Sequence, residues 1–519
     1  MLYNKYKSFG LALLVSLGGF IFGFDASVIS GAIGLISTQY ALGPLEQGLV
    51  VGSPTLGAII AACVVGYLTD RYGRKKILLL IAFLYAISIV GSALANGYIM
   101  LVVCRFIGGL AFASLMVAPL YIAEITPAAL RGKYVSFNQL NIVAGFSAAY
   151  FSNFWLLSSV DTDASWVVAF SIKEYLWRWM LGLEIAPALI YFFLLFYIPE
   201  SPRWLILNNR KEEARQLLNK LVPPDEVDEQ LLIPQENLDD AHFIKKLRSL
   251  FNSRTRFILM VGIVVGIIQQ ATGVNAIYFY APTIFEQSGI GTNAAFAQAV
   301  WIGVVNIIFT LIAIATIDRF GRKPLMIIGL LGVMVSMGLC GYGFSQAKYQ
   351  LTAQNIPSVL NESQLESIKP LLNVTYLSDV DFKQALRAYL GSQFAKQYES
   401  ELLKSATQIN SNLILLGILG FVAAFAISLG PVMWVLLSEI FPNNVRGIAI
   451  AFVGVMNSFV SFLVQVLFPW QLENMGSTTT FIIYGIFAIL GFAFVVRYLP
   501  ETKGKTLEQL EQSLVNKHF

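Results

Sequence analysis

Residues 268–282 read IQQATGVNAIYFYAP and set Gln269, Gln270, Asn275 and Tyr280 inside an apolar run that carries no charge. A carboxamide both donates and accepts hydrogen bonds, as a hydroxyl does, so amides without charges suit a neutral ligand rich in hydroxyls. The other use of such groups in an apolar setting is to bridge packed helices. On an ideal helix Gln269 and Tyr280 lie about 20° apart, with Gln270 near ~100° and Asn275 near ~240°. A straight helix cannot turn all four toward one ligand, so a shared contact requires a break near Gly273. Phe279, Tyr280 and Trp434 could cover the apolar face of a ring.

Ionisable residues inside the apolar runs are few. Asp25 lies in FIFGFDASVISGA, Arg105 in VVCRFIGG and Glu184 in WRWMLGLEIAPAL. Charges at such depth are costly and mark a functional path or a mutual pair. Burial and a neighbouring guanidinium act on a carboxyl in opposite directions, so an acid paired with an arginine can take up and release a proton as its surroundings change. A permanent ion pair between helices is the competing reading. A second group of charges ends the apolar runs and occurs twice. Asp70, Arg71 and Arg74 are matched by Asp318, Arg319 and Arg322, Glu124 and Arg131 by Glu439 and Arg446, and Glu200 by Glu501. If acids and bases of the two copies meet, they can hold one face of the molecule shut. Otherwise they set topology and snorkel to the headgroups. Pro431, in SLGPVMW, lacks a backbone donor and is expected to bend its helix over the ligand.

The elements that hold these residues follow from composition. Of 519 residues, 56% are hydrophobic and 13% charged, where a soluble chain carries about 25% charged residues. Twelve membrane helices are expected near 9–36, 46–69, 76–96, 98–123, 134–157, 177–198, 256–286, 294–317, 324–345, 410–437, 447–470 and 477–499. Lysines and arginines fill the loops after the second, fourth and eighth helices and the long central segment, and are missing from 37–45, 97–98, 287–293 and 471–476. The positive-inside rule then places both termini in the cytoplasm of a multi-pass protein in an inner or plasma membrane. Lys5 and Lys7 precede a first span too long for a signal-peptide core, so no cleaved leader is expected. Cys63, Cys104 and Cys340 all fall in spans and read as packing residues rather than disulfides or metal ligands. His242 and His518 lie outside the spans, which leaves intramembrane proton chemistry to carboxylates. A GxxxxGK[ST] phosphate cradle is absent from the sequence, so no nucleotide-driven pump, enzyme or cofactor is expected. Nucleic acid is a poor partner for a net charge of +4 in such a chain.

The chain repeats itself. LTDRYGRKKILLL (68–80) matches TIDRFGRKPLMII (316–328), AEITPAALRGK (123–133) matches SEIFPNNVRGI (438–448), and PESPRW (199–204) matches PETKGK (500–505). The expected organisation is an all-α protein of two six-helix bundles, 1–198 and 256–499, with a helical cytoplasmic linker at 199–255 and a tail at 500–519. The wider spacing in the second half makes the polar stretch 346–408 an insertion outside the cytoplasm, with a helix starting at the Ser378–Asp379 signal. Its sequons are Asn361-Glu-Ser and Asn373-Val-Thr.

Taken together, the duplicated DRxGRK signature, PESPRW, QQATGVN and PETKGK resemble the sugar-porter family of the major facilitator superfamily, over nearly the whole chain except 346–408. The resemblance implies a monosaccharide or polyol transporter that rocks one half against the other, working as a monomer in the lipid bilayer. It implies sugar contacts at Phe22, Gln269, Gln270, Asn275, Tyr280, Asn306, Gly430, Trp434 and Asn457. It implies proton coupling through Asp25 paired with Arg105; Glu184, from its place inside a span, is the third candidate for that role. Two positions depart from the family pattern: Phe146 stands where Gln is typical, and Ser458 where a Trp commonly follows the polar residue. These leave a pentose, a hexose or a cyclitol open. The expected activity is sugar–proton symport. A facilitative uniporter with the same pocket is the nearest rival, a sugar sensor that hardly transports a remoter one, and an exporter of apolar compounds the remotest.

Overall fold

The computed structural model describes residues 5–127, 130–162, 164–231, 250–251, 255–356, 362–391, 398, 401–442 and 445–503. His242, His518, Asn361 and most of the 500–519 tail fall outside these residues, as does the Asp318 side chain. Among the described residues twelve helices are long and apolar enough to cross a membrane. They are α1 (Lys5–Tyr40), α2 (Pro44–Tyr72), α3 (Arg74–Ala93), α4 (Tyr98–Ile125), α5 (Arg131–Val160), α6 (Leu176–Tyr197), α7 (Arg256–Gln287), α8 (Thr292–Phe320), α9 (Arg322–Ser345), α10 (Ser411–Ile440), α11 (Arg446–Asn474) and α12 (Gly476–Tyr498). Each is the element the apolar runs call for, because within a single apolar segment only a helix satisfies every backbone group without water. The chain is thus a multi-pass, all-α membrane protein.

Four of these helices are interrupted, and the functional residues gather at the interruptions. α4 breaks at Phe112–Ala113, between segments Tyr98–Ala111 and Ser114–Ile125. α6 breaks at Glu184, before Ile185–Leu194. α7 breaks between Ala271 and Val274, where Gly273 takes a left-handed φ of 89°, a conformation cheap only for glycine. Within its second segment Tyr280 is non-helical as well (φ −129°, ψ 20°), two residues before Pro282. α10 breaks at Ser428 (φ −130°, ψ −92°). This corrects the expectation for Pro431. It does not bend a continuous helix but sits in the first turn of the segment Leu429–Ile440, where its missing N–H costs nothing. Its ring would clash with the carbonyl four residues back, Ile427, which is the last residue of the preceding segment.

The chain resolves into two compact units, one of Met1–Val28, Ser53–Ser152 and Arg178–Arg248, the other of Ile29–Gly52, Asn153–Trp177 and Ser249–Phe519. The first has a core of Val15, Tyr85, Tyr121, Ile125 and Tyr191, extended by Leu218 and Leu221 of the helix Lys211–Leu221. In the second, Gly31 faces Asn153 and Phe296, and Gly48 faces the backbone of Val466. These close approaches group the α1–α2 and α5–α6 connections with the second unit, so the units do not coincide with the sequence halves.

The insertion is a small folded body rather than one helix. Strands β1 (Lys348–Gln350), β2 (Thr375–Tyr376) and β3 (Thr407–Gln408) form an antiparallel sheet in the order β2-β1-β3, with Tyr349 opposite both Tyr376 and Thr407. The expected helix starts as read, Ser378 accepting from the Val380 N–H, but it stops at Leu390 before Gly391. Tyr349, Leu351, Phe382, Leu386 and Leu402 form a separate core there.

Candidate functional site

The break in α7 gathers the amides that a straight helix would scatter. Gln269 is 4% exposed and Asn457, on α11, is 5% exposed. The Asn457 amide donates to Oε1 of Gln269 at 2.7 Å and to the Gly266 carbonyl at 2.8 Å. Its Oδ1 accepts from Gln270 at 3.2 Å. Gln270 Oε1 accepts from Asn275 at 2.9 Å, across the break. Gln269 Nε2 donates to the carbonyl of Leu429 at 2.9 Å and lies 3.4 Å from that of Gly430. Those carbonyls are presented by the new segment that starts after Ser428. Three broken or facing helices therefore converge on one uncharged, bidirectional hydrogen-bonding cluster within the second unit.

Two members of this cluster are absent from the sequence reading. Ser461 accepts from both Asn275 and Gln465 Nε2, and the Gln465 carbonyl accepts from the Tyr280 hydroxyl at 3.0 Å. Asn457, Ser461 and Gln465 recur every fourth residue, so they form one polar stripe on α11. That spacing was the available signal. Tyr280 is non-helical and packs on Phe468 with ring centres 5.1 Å apart.

The other expected ligand residues are placed apart from these hydrogen bonds. Asn306 is buried on α8 and bonds to Thr310 of its own helix. Trp434 is 46% exposed on α10. Phe279 is buried in α7. Phe22 and Phe146 belong to the first unit, where Phe22 meets the edges of Phe112 and Phe146 at 4.7 and 6.5 Å.

In the first unit Asp25 is 6% and Arg105 3% exposed, and Nη1 of Arg105 lies 3.2 Å from Oδ1 of Asp25. Glu184, 1% exposed at the break of α6, is within electrostatic reach of both. The hydroxyls of Tyr85 and Ser114, 3.1 Å apart, lie beside this group at the break of α4, and the sequence reading passed over them. Three ionisable groups, one from each of the spans α1, α4 and α6, thus form one compact buried cluster.

The duplicated charges build the same device twice. In the first unit Arg74 is bidentate on Glu124, 3.0 and 3.1 Å, and pairs with Asp70 at 2.9 Å. Glu200 accepts the backbone N–H groups of Arg74, Lys75 and Ser201. In the second, Arg322 pairs with Glu439 at 2.8 Å, and Glu501 accepts from the N–H groups of Arg322, Lys323, Thr502 and Lys503. Glu200 and Glu501 are thus caps for the N-termini of α3 and α9, where a carboxylate meets unpaired N–H groups and the positive end of the dipole. Gly73 and Gly321 make room for them. Their φ values are 95° and 91°, and a Cβ at either would run into the capping carboxylate. Ser201 and Thr502, each following its glutamate, bond to Glu124 and Glu439. All these pairs are internal to one unit, where the sequence reading expected acids and bases of the two halves to meet. Arg71 is exposed on Tyr67, and Arg131 and Arg319 are exposed. Arg446 donates to the Phe441 carbonyl.

Twelve spans, a duplicated pair of capped helix termini, an uncharged amide cluster at a helix break and a buried acid–arginine pair define a secondary transporter of the membrane rather than an enzyme. The family model described as "Sugar (and other) transporter" matches residues 11–359 and 389–514. The chain belongs to that family of the major facilitator superfamily. It is 34% identical to the arabinose–proton symporter of Bacillus subtilis (strain 168), covering 98% of this chain and 96% of that one. It is 33% identical to the D-xylose–proton symporter of Escherichia coli (strain K12), over the same shares. Among solved structures, the inward-open xylose transporter XylE from E. coli is similar with a TM-score of 0.72 and 31% identity, over 98% of this chain and 99% of that one.

Proposed function

We propose that this protein couples the uptake of a monosaccharide to a proton by alternating access, with both termini in the cytoplasm. The observation that carries the proposal is the division of labour between the two sites. The amide cluster of Gln269, Gln270, Asn275 and Asn457 offers donors and acceptors without charge, as a neutral polyhydroxyl requires. Asp25, Arg105 and Glu184 supply the ionic chemistry, apart from the amide cluster. The similarity to arabinose and xylose symporters supports a pentose or hexose as cargo. In this reading Asp25 carries the proton. When protonated it releases Arg105, and when deprotonated it recaptures it, so the two states differ in which helices the pair ties together. The membrane potential then contributes about 2.3 kcal/mol per charge per 100 mV to accumulation. The capped termini of α3 and α9 each tie a helix start to the charge cluster of its own unit.

Asp25→Asn in proteoliposomes tests the proposal. Uphill accumulation should disappear while sugar exchange persists. Unchanged accumulation would remove Asp25 from coupling, whereas a uniporter would show no uphill accumulation even with Asp25 in place. A panel of pentoses, hexoses and inositols, repeated with Phe146→Gln, identifies the cargo.

A further inference from the structure

All but the last two residues of the insertion's helix Asp379–Leu390 lie in the gap between the two stretches that match the family model. Asp379 and Lys383 on this helix are 6% and 3% exposed. Lys383 Nζ lies 3.6 Å from Oδ2 of Asp379 and donates to the Leu472 carbonyl at the end of α11. Arg387 adds an ion pair to Glu473 at 2.8 Å. The same Asp379 oxygen accepts the Ser477 N–H at 3.2 Å, in the first turn of α12. The insertion therefore supplies the cap acceptor that the side chain of Met475 does not. The Ser477 hydroxyl lies 3.3 Å from Asp379 and 2.6 Å from Oε1 of Gln287, the last residue of α7. A hydroxyl has one proton, and the shorter contact directs it to Gln287 while the carboxylate keeps the N–H. The far border of the insertion holds the next two residues. Ser411 Oγ donates to the Ser288 carbonyl at 2.8 Å, and Thr407 packs against Gly289.

We propose that Asp379 is a positioning residue for transport. Through Ser477 and Gln287 it fixes the far end of the α7 segment that begins at Gly273 and carries Asn275 and Tyr280. This rests on reading the amide cluster as the sugar site. A segment released by a glycine break on one side is held internally by Asn275, on Gln270 and Ser461, and by Tyr280 on the Gln465 carbonyl. The insertion holds its far end. Losing it lowers the fraction of molecules whose Asn275 is in place, and apparent affinity falls by that fraction.

The test uses the full-length protein in proteoliposomes with labelled xylose and arabinose as probes. Asp379→Ala and Gln287→Ala should each raise the KM for exchange about five- to tenfold with the maximal rate within about twofold, and the double variant should be no worse than either single one, as residues in one chain of contacts behave. Asp379→Asn keeps an acceptor oxygen and should show a smaller rise, which serves if the alanine variant folds poorly. A lowered melting temperature with KM unchanged overturns the proposal and leaves Asp379 a structural cap. Effects that multiply in the double variant overturn the Ser477 route. Asn275→Ala separates the two readings. If it leaves sugar binding intact, the site assignment falls and this proposal with it; if it abolishes binding while Asp379→Ala leaves KM unchanged, only the positioning role falls.

Discussion

Asn457→Ala probes whether the amide cluster serves a ligand or merely joins helices. The side chain bonds to Gln269 Oε1, the Gly266 carbonyl and Gln270 Nε2, and makes a weaker contact to Met433 Sδ. Interhelical hydrogen bonds in membrane proteins contribute about 0.6 kcal/mol each, so truncation removes about 2 kcal/mol. Gln269 keeps its bond to the Leu429 carbonyl, but Gln270 loses the shorter of its amide contacts and keeps only the 3.4 Å one to Gln269 Oε1. If both glutamines hold the sugar, the loss falls on binding, and about 2 kcal/mol weakens it roughly thirtyfold. Equilibrium sugar binding to the purified protein, measured beside thermal unfolding, reads both quantities. Asn457→Gln should recover part of the affinity. Affinity unchanged with a lower unfolding temperature refutes the reasoning, because the amides would then act only between helices.

Other outcomes follow from the capped termini and the insertion. Gly73→Ala places a side chain at φ 95° and against the Glu200 carboxylate. The strain costs about 1–2 kcal/mol and the disturbed cap about 1 kcal/mol more, so the melting temperature should fall, and Gly321→Ala should act likewise through Glu501. Tyr349 is raised above its ordinary value, first by burial and then by the charge of Asp379. Its contribution is therefore complete below the unfolded tyrosine value of about 10 and is lost as pH rises beyond it, so alkaline titration should release tyrosinate absorbance together with unfolding of the insertion.

Much of this architecture was legible in the residues. Apolar run length defined the spans, and the wheel positions of Gln269, Gln270 and Asn275 required an interruption near Gly273 if they share one ligand; φ there is 89°. The repeated PE motifs marked Glu200 and Glu501, yet their role was misread. A glutamate beside an arginine-rich loop looks like an ion-pair partner in sequence, whereas in space each accepts helix N–H groups that carry no side-chain signal. Pro431 misled for a similar reason, because a proline reports that a helix changes but not on which side of it the change falls. The strands of the insertion, two or three residues long, are too short to show alternation.

What the sequence determined by itself is therefore the membrane class, the duplication and the uncharged character of the amide stretch, all of which depend on residue type and local spacing. Tertiary structure alone decided that Asn457 joins Gln269 and Gln270, that Glu200 and Glu501 cap α3 and α9, and that Asp379 caps α12. Each of these joins residues far apart in the chain, and hydrogen bonds act over about 3 Å, a distance that no one-dimensional spacing encodes.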